Sequence, residues 1–154
     1  MPKLDLDKIP LDSGSRYPAS LRAAVEGRAR KRLGNAAGLD QFGVNLCTLK
    51  PGAASSLRHW QQHEDELVYI VSGEVVLCED SGETLLKAGD VAAWKAGVAD
   101  GHCLINRSQQ DVVLIEIGSR MAAETVTYPD LDLVMVRDQS GARYLRKNGE
   151  PYNE

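Results

Sequence analysis

The chain has three histidines, and two of them, His59 and His63, fall inside PGAASSLRHWQQHEDELVYIVSGE, residues 51–74. The third, His102, lies in GDVAAWKAGVADGHCLIN, residues 89–106. Imidazoles close in sequence to Glu64, Asp65 and Glu66 offer metal-ligand chemistry, because neutral ring nitrogen suits first-row transition metals and a carboxylate adds charge. The competing reading is structural: His59, Gln61 and Glu66 hydrogen-bond one another and hold no ion. The choice turns on whether the surrounding elements bring residue 102 to the same place as residues 59–66.

Those elements are strands. Beyond Gly34 the chain alternates short β-branched and apolar runs with turn chemistry, the pattern of an all-β barrel or sandwich. Strands are predicted at 41–50, 54–60, 66–72, 74–79, 84–87, 90–95, 102–107 and 111–118, with two more at 133–137 and 143–146. The core is expected from Leu57, Val68, Ile70, Val76, Leu104 and Leu114. Alternation sends His59 and Gln61 to one face and Trp60 to the other, toward a sheet or subunit contact that Tyr69 joins, and Trp94 is read as packing. Glu116, the one charge in VVLIEIG, is a further site candidate.

Upstream, Pro2, Pro10, Pro18 and Gly14 break regular structure and define an arm. In ASLRAAVEGRARKR, residues 19–32, helix formers give way at Gly27 to an alternating run that suits an edge strand. Its cluster Arg28, Arg30, Lys31 and Arg32 has two readings, a phosphate-binding patch or the solvated face of that edge, and the solvated face is the one expected here.

Composition bounds the function. At 154 residues the chain suits one domain, and a net charge of -4 gives no basic field for nucleic acid or an anionic membrane. A DNA-reading helix-turn-helix is absent from the pattern. Cys47, Cys78 and Cys103 form no Cys-x-x-Cys pair and are read as reduced packing residues. Residues 1–20 carry Asp5, Asp7 and Asp12 and no continuous apolar core, so neither signal nor anchor is expected and the cytoplasm is the expected compartment. No apolar run is long enough for a membrane span.

The two histidine-bearing segments resemble the paired motifs of the cupin superfamily, small jelly-roll barrels also described as double-stranded β-helices. Gly52, His59, Glu66 and Gly73 fall on the first motif, and Gly89, Gly97, His102 and Asn106 on the second. Gln61 stands where the second histidine of a His-x-His pair is usual, Lys95 where proline is usual, and the turn from Gly97 to His102 is longer than usual. The resemblance implies a cupin barrel at 41–118, with an N-terminal arm and edge strand at 1–40 and a C-terminal extension at 119–154 packing on the barrel and ending in KNGEPY.

It also implies a divalent metal (Zn, Fe, Mn or Ni) held by His59, Gln61, Glu66 and His102, with Glu66 as ligand or general base. His63, in a strand corner, is expected in solvent. The function expected is the binding of a metal and a small polar metabolite in the barrel. Oxygenase, isomerase or lyase chemistry fits such a site, and so does a non-catalytic binding or sensor role for a sugar-like ligand with a degenerate metal site. Open sheet edges and the apolar outer face of ELVYIVS predict a homodimer.

Overall fold

The computed structural model describes residues 3–152. Its strands are, in chain order, β1 (Leu11–Asp12), β2 (Arg28–Arg32), β3 (Phe42–Leu49), β4 (Trp60–Gln61), β5 (Glu66–Ser72), β6 (Glu74–Glu79) and β7 (Gly82–Lys87). They continue with β8 (Val91–Trp94), β9 (Cys103–Ile105), β10 (Val112–Ser119), β11 (Glu124–Tyr128), β12 (Leu133–Asp138) and β13 (Gly141–Leu145). They form a six-stranded sheet β1-β2-β3-β10-β5-β8, a three-stranded sheet β7-β6-β9 and a four-stranded sheet β13-β12-β11-β4, with antiparallel pairing throughout. This is the all-β architecture that alternation and turn chemistry predict, in the jelly-roll form that the cupin resemblance implies. No helix among the described residues is long and apolar enough to cross a membrane.

Register shows how the barrel interior is built. Across the six-stranded sheet, Cys47, Leu114 and Ile70 lie side by side on the inner face, and Leu49 pairs with Val112 one step away. In the opposite direction come Asn45, Glu116 and Val68, and then Gly43, Gly118, Glu66 and Trp94. Because side chains alternate faces with period two, one inner surface runs from aliphatic to charged along the strands. The aliphatic end meets Val75, Leu77, Leu86 and Leu104 of the three-stranded sheet in one core. At roughly 1.5–3 kcal/mol per fully buried aliphatic side chain, this end supplies much of the stability.

Three expectations need correction. Val75, not Val76, is buried. Gly73, at φ 82°, turns the chain between β5 and β6 and resets the alternation; an added Cβ would meet the Asp111 carbonyl at 3.0 Å. Residues 54–60 do not make one strand: only β4 is regular, and the rest is held by single bridges from Ala54 to Ile105 and from His59 to His102. β11 was not anticipated, yet it joins β4 to the C-terminal hairpin of β12 and β13.

The N-terminal segment contributes more than an edge. Residues Ala19–Val25 form a 3-10 helix after Pro18, and Val25 packs with Tyr17, Val126, Tyr128 and Leu133 in a second apolar cluster. β2 then pairs along β3 and places Arg28 opposite Leu49, Arg30 opposite Cys47 and Arg32 opposite Asn45. The partners on β3 all face inward, so the three arginines do too. The expected solvated basic face is therefore wrong for Arg28 and Arg30, while Arg32, with 43% of its side chain exposed, still meets solvent at the cavity mouth; Lys31, of opposite parity, turns out, to the Leu6 carbonyl.

Candidate metal centre

His59 and His102 face each other across an antiparallel bridge: each main-chain N–H donates to the other's carbonyl, at 3.1 and 2.9 Å. Residues directly opposite in such a pair share a face, and the two rings lie 4.9 Å apart. Glu66, the first residue of β5, brings its carboxylate between them, with Oε2 2.8 Å from His102 Nε2 and 3.4 Å from His59 Nε2. One ligand atom from each of the three residues lies within 4.8 Å of the others, a group that can hold a metal ion. The predicted convergence of residues 59–66 with residue 102 thus occurs.

The rings are fixed from behind. His59 Nδ1 is 3.0 Å from the Leu57 carbonyl and 3.2 Å from Ser56 Oγ, and His102 Nδ1 is 3.4 Å from the Asp100 carbonyl. A carbonyl only accepts, so the Leu57 contact favours the proton on Nδ1 of His59 and turns its Nε2 lone pair to Glu66. His102, whose Nε2 is nearer to the carboxylate than its Nδ1 is to the Asp100 carbonyl, instead donates from Nε2 in the metal-free protein. Two ring nitrogens and a carboxylate that meet at one point form a donor set in which a divalent metal can replace the shared proton, so the donor chemistry fits a metal ion. Burial works against a charged His59, but the Glu66 carboxylate outweighs it and raises the pKa. For Glu66, burial opposes ionisation while His102 and His59 hold the carboxyl well below the usual range.

Trp94 has a larger part than packing. Its ring stacks on His102 with centroids 3.8 Å apart and planes within 4°, and its Nε1–H donates to Glu79 at 2.8 Å. Trp94 lies opposite Glu66 in the β5–β8 pairing, so one strand pair sets both the carboxylate and the wall of the second imidazole. Gly101 leaves no room for a side chain beside His102: a Cβ there would sit 2.6 Å from Pro129 Cγ. Asn106, fully buried, pins the end of this segment by donating to the Leu49 and Gln110 carbonyls at 2.9 and 2.7 Å.

The other sequence candidates separate clearly. Gln61 lines the same cavity as His59, and its side-chain amide makes no hydrogen bond to a described residue. His63 points away: its side chain is 49% exposed and Nδ1 lies 3.5 Å from the buried Glu124 carboxylate. Glu64 turns inward to accept from Arg137 and from the Met121 N–H at 2.8 Å. Asp65 accepts from the Ala96 N–H at 2.8 Å. Glu116 lies in the cavity, where Arg30 clamps it through two bonds of 2.6 and 2.7 Å.

The cavity these groups share has a volume of about 410 Å³ and is lined by Glu66, Glu116, Arg28, Arg30, Tyr128 and Trp94 among others. Sequence reasoning missed its inward arginines, Tyr17, Tyr128 and Tyr144. The available signal was the i, i+2, i+4 spacing of Arg28, Arg30 and Arg32, which places them on one face of a strand.

Fold and site together define an antiparallel jelly-roll barrel with a His-His-Glu group in a polar cavity. Residues 45–118 match the family model described as the cupin domain. Among solved structures, a sugar phosphate isomerase of the cupin superfamily from Silicibacter pomeroyi is 46% identical, with 99% of this chain and 97% of that one covered and a TM-score of 0.96. A protein provisionally described as a sugar phosphate isomerase from Acidithiobacillus ferrooxidans is 26% identical, with 82% and 81% covered and a TM-score of 0.75. The polyketide cyclase of Streptomyces resistomycificus, 15% identical with 77% and 79% covered and a TM-score of 0.64, shares the fold alone. No curated protein matches the chain. The chain belongs to the cupin superfamily.

Proposed function

We propose that this cupin binds a divalent metal (Zn, Fe, Mn or Ni) through His59, His102 and Glu66, with Gln61 as a further oxygen donor, and isomerises a small phosphorylated sugar. The observation that carries the metal is the convergence of two Nε2 atoms on one carboxylate oxygen. The substrate class draws on the 46% identical relative described as a sugar phosphate isomerase and on a cavity of about 410 Å³, within the range of small-molecule sites.

A metal here supplies Lewis-acid polarisation of a substrate oxygen. The chain's own residues do the rest. Glu66 turns Oε2 to the imidazoles, and its Oε1 makes no hydrogen bond to a described residue, so Oε1 takes a proton from the carbon beside the carbonyl and returns it to the neighbouring carbon. The hydroxyl proton moves to the former carbonyl oxygen, so the exchange is balanced with no redox partner. Trp94 and the Leu57 and Asp100 carbonyls hold the imidazoles in place through the cycle.

One observation favours a second reading. Gln61 replaces an imidazole by a weaker donor, which suits a protein that binds a sugar-like ligand without turning it over. Assay of a panel of aldose and ketose phosphates, with Fe(II), Mn(II), Ni(II) or Zn(II) added, separates the two. Isomerisation that Glu66→Gln abolishes supports the enzyme; ligand binding without turnover under every metal supports the binding protein.

We further propose a homodimer through the outer face of the six-stranded sheet, where Tyr69, Val71, Val91 and Ile117 are exposed. Light scattering at micromolar concentration tests it, and a monomer there counts against it.

A further inference from the structure

β2 turns three guanidinium groups to the cavity side, Arg28 and Arg30 inside and Arg32 half-exposed at its mouth, and their charges are not answered alike. Arg30 is clamped by Glu116 at 2.6 and 2.7 Å, and Arg32 donates twice to Asp12 Oδ2, at 2.9 and 2.6 Å. Arg28 is more deeply buried, with 8% of its surface exposed, and makes no ion pair with a carboxylate among the described residues. Its Nη1 donates to the Ser55 carbonyl at 2.7 Å and its Nη2 reaches the Gly14 carbonyl at 3.4 Å. The other three of its five N–H donors make no hydrogen bond to a described residue. A buried cation left with main-chain dipoles alone is costly unless an anion arrives.

We infer that the wall formed by Arg28 and Arg16 is the seat of a phosphate monoester, the anionic end of a small sugar phosphate whose other end meets the His59–Glu66–His102 group. Arg16, exposed on the N-terminal arm, lines the same cavity and has no carboxylate partner among the described residues. Tyr144 lines the same cavity; burial, with Tyr17 beside it, pushes its phenol up to about 12, so it stays protonated and can donate. Burial and then the charge of Arg30 push Arg28 below the usual guanidinium range, a penalty on its charge that a bound dianion relieves.

Arg16, Arg28, His59, Glu66 and His102 line one cavity of about 410 Å³, within which one small molecule can meet both ends. The identity of the reacting end rests on the isomerase reading above; the anion seat rests on Arg28 and Arg16.

Calorimetric titration of the full chain with inorganic phosphate, and with glucose 6-phosphate against glucose, tests the inference. Arg28→Gln and Arg16→Gln are each expected to weaken binding of inorganic phosphate about tenfold or more, because a charge-assisted contact is lost. Lys31→Gln, on the outer face of the same strand, is expected to bind phosphate as wild type, and bound metal is expected to be equal in all variants. If Arg28→Gln does not fold, Arg16→Gln, changed at an exposed position, decides. Wild-type protein that takes up no phosphate at millimolar concentration, or folded glutamine variants that bind it as wild type does, would overturn the inference. Phosphate binding that depends on these arginines, in a protein that isomerises no sugar phosphate, would uphold it and sink the isomerase reading alone.

Discussion

The two ends of the barrel interior are built on the same strands and do opposite work. At one end Leu49, Ile70, Leu114 and Val112 are completely buried against the three-stranded sheet. At the other, two residues further along β3, β5 and β10 from the Cys47–Leu114–Ile70 row, Asn45, Glu116 and Val68 open the cavity, and the next step brings Glu66 and Trp94. The change is one of side chains, not of backbone. The aliphatic end therefore provides a rigid base, and the polar end can carry buried charge because its strands are anchored there.

Variants at the two ends should break the molecule in different ways. Glu66→Gln removes the anion that both imidazoles face; we expect loss of bound metal and a fall of about 10²–10⁴-fold in turnover of a sugar phosphate, with a folded protein by circular dichroism. Leu114→Ala should do the reverse, costing about 2–5 kcal/mol in urea unfolding while metal per folded chain stays at the wild-type level. Equal effects of both variants on metal content would erase the distinction between the two ends.

Trp94→Leu tests the join. Removing the ring stacked on His102 should weaken metal binding about 10–100-fold, as loss of a supporting partner does, without removing any ligand.

The charge of the polar end also gives it a pH signature in metal-free protein. Glu66 is depressed when folded, so its contribution to stability is full above its ordinary value of 4.5 and is lost as pH falls through the folded value. His59 is raised, so its contribution is full below its ordinary value of 6.5 and is lost as pH rises through the folded value. Thermal unfolding of metal-free protein should therefore be highest between about pH 4.5 and 6.5, and Glu66→Gln should flatten that maximum. The smallest effect is expected at His63, where alanine should change stability by no more than about 0.5 kcal/mol and leave metal content unchanged.

Much of the barrel could be read from the sequence because its strands alternate cleanly: β3, β5, β6 and β10 lie within a residue or two of where the pattern puts them. The convergence of His59, Glu66 and His102 was legible only through the resemblance to the cupin motifs, whose glycines Gly73, Gly89 and Gly97 take up the positive φ that their turns need. What escaped were features with no local signal. The stack of Trp94 on His102 joins elements distant in sequence. β11 is a strand because β4 and β12 pair with it, and the burial of Glu124 depends on main-chain N–H groups of Gln62, His63 and Thr125 that only the fold brings together. Arg28 and Arg30 were misread because charged residues on an edge normally face water, whereas here the N-terminal arm and the C-terminal sheet close over them.

The most direct measurement is metal per chain, by mass spectrometry, in protein purified without an affinity tag. Near-stoichiometric divalent metal in the wild type, lost in both His59→Ala and His102→Ala, is the predicted result. Wild-type protein that remains metal-free after exposure to Fe(II), Mn(II), Ni(II) and Zn(II), or alanine variants that keep their metal, would contradict the account.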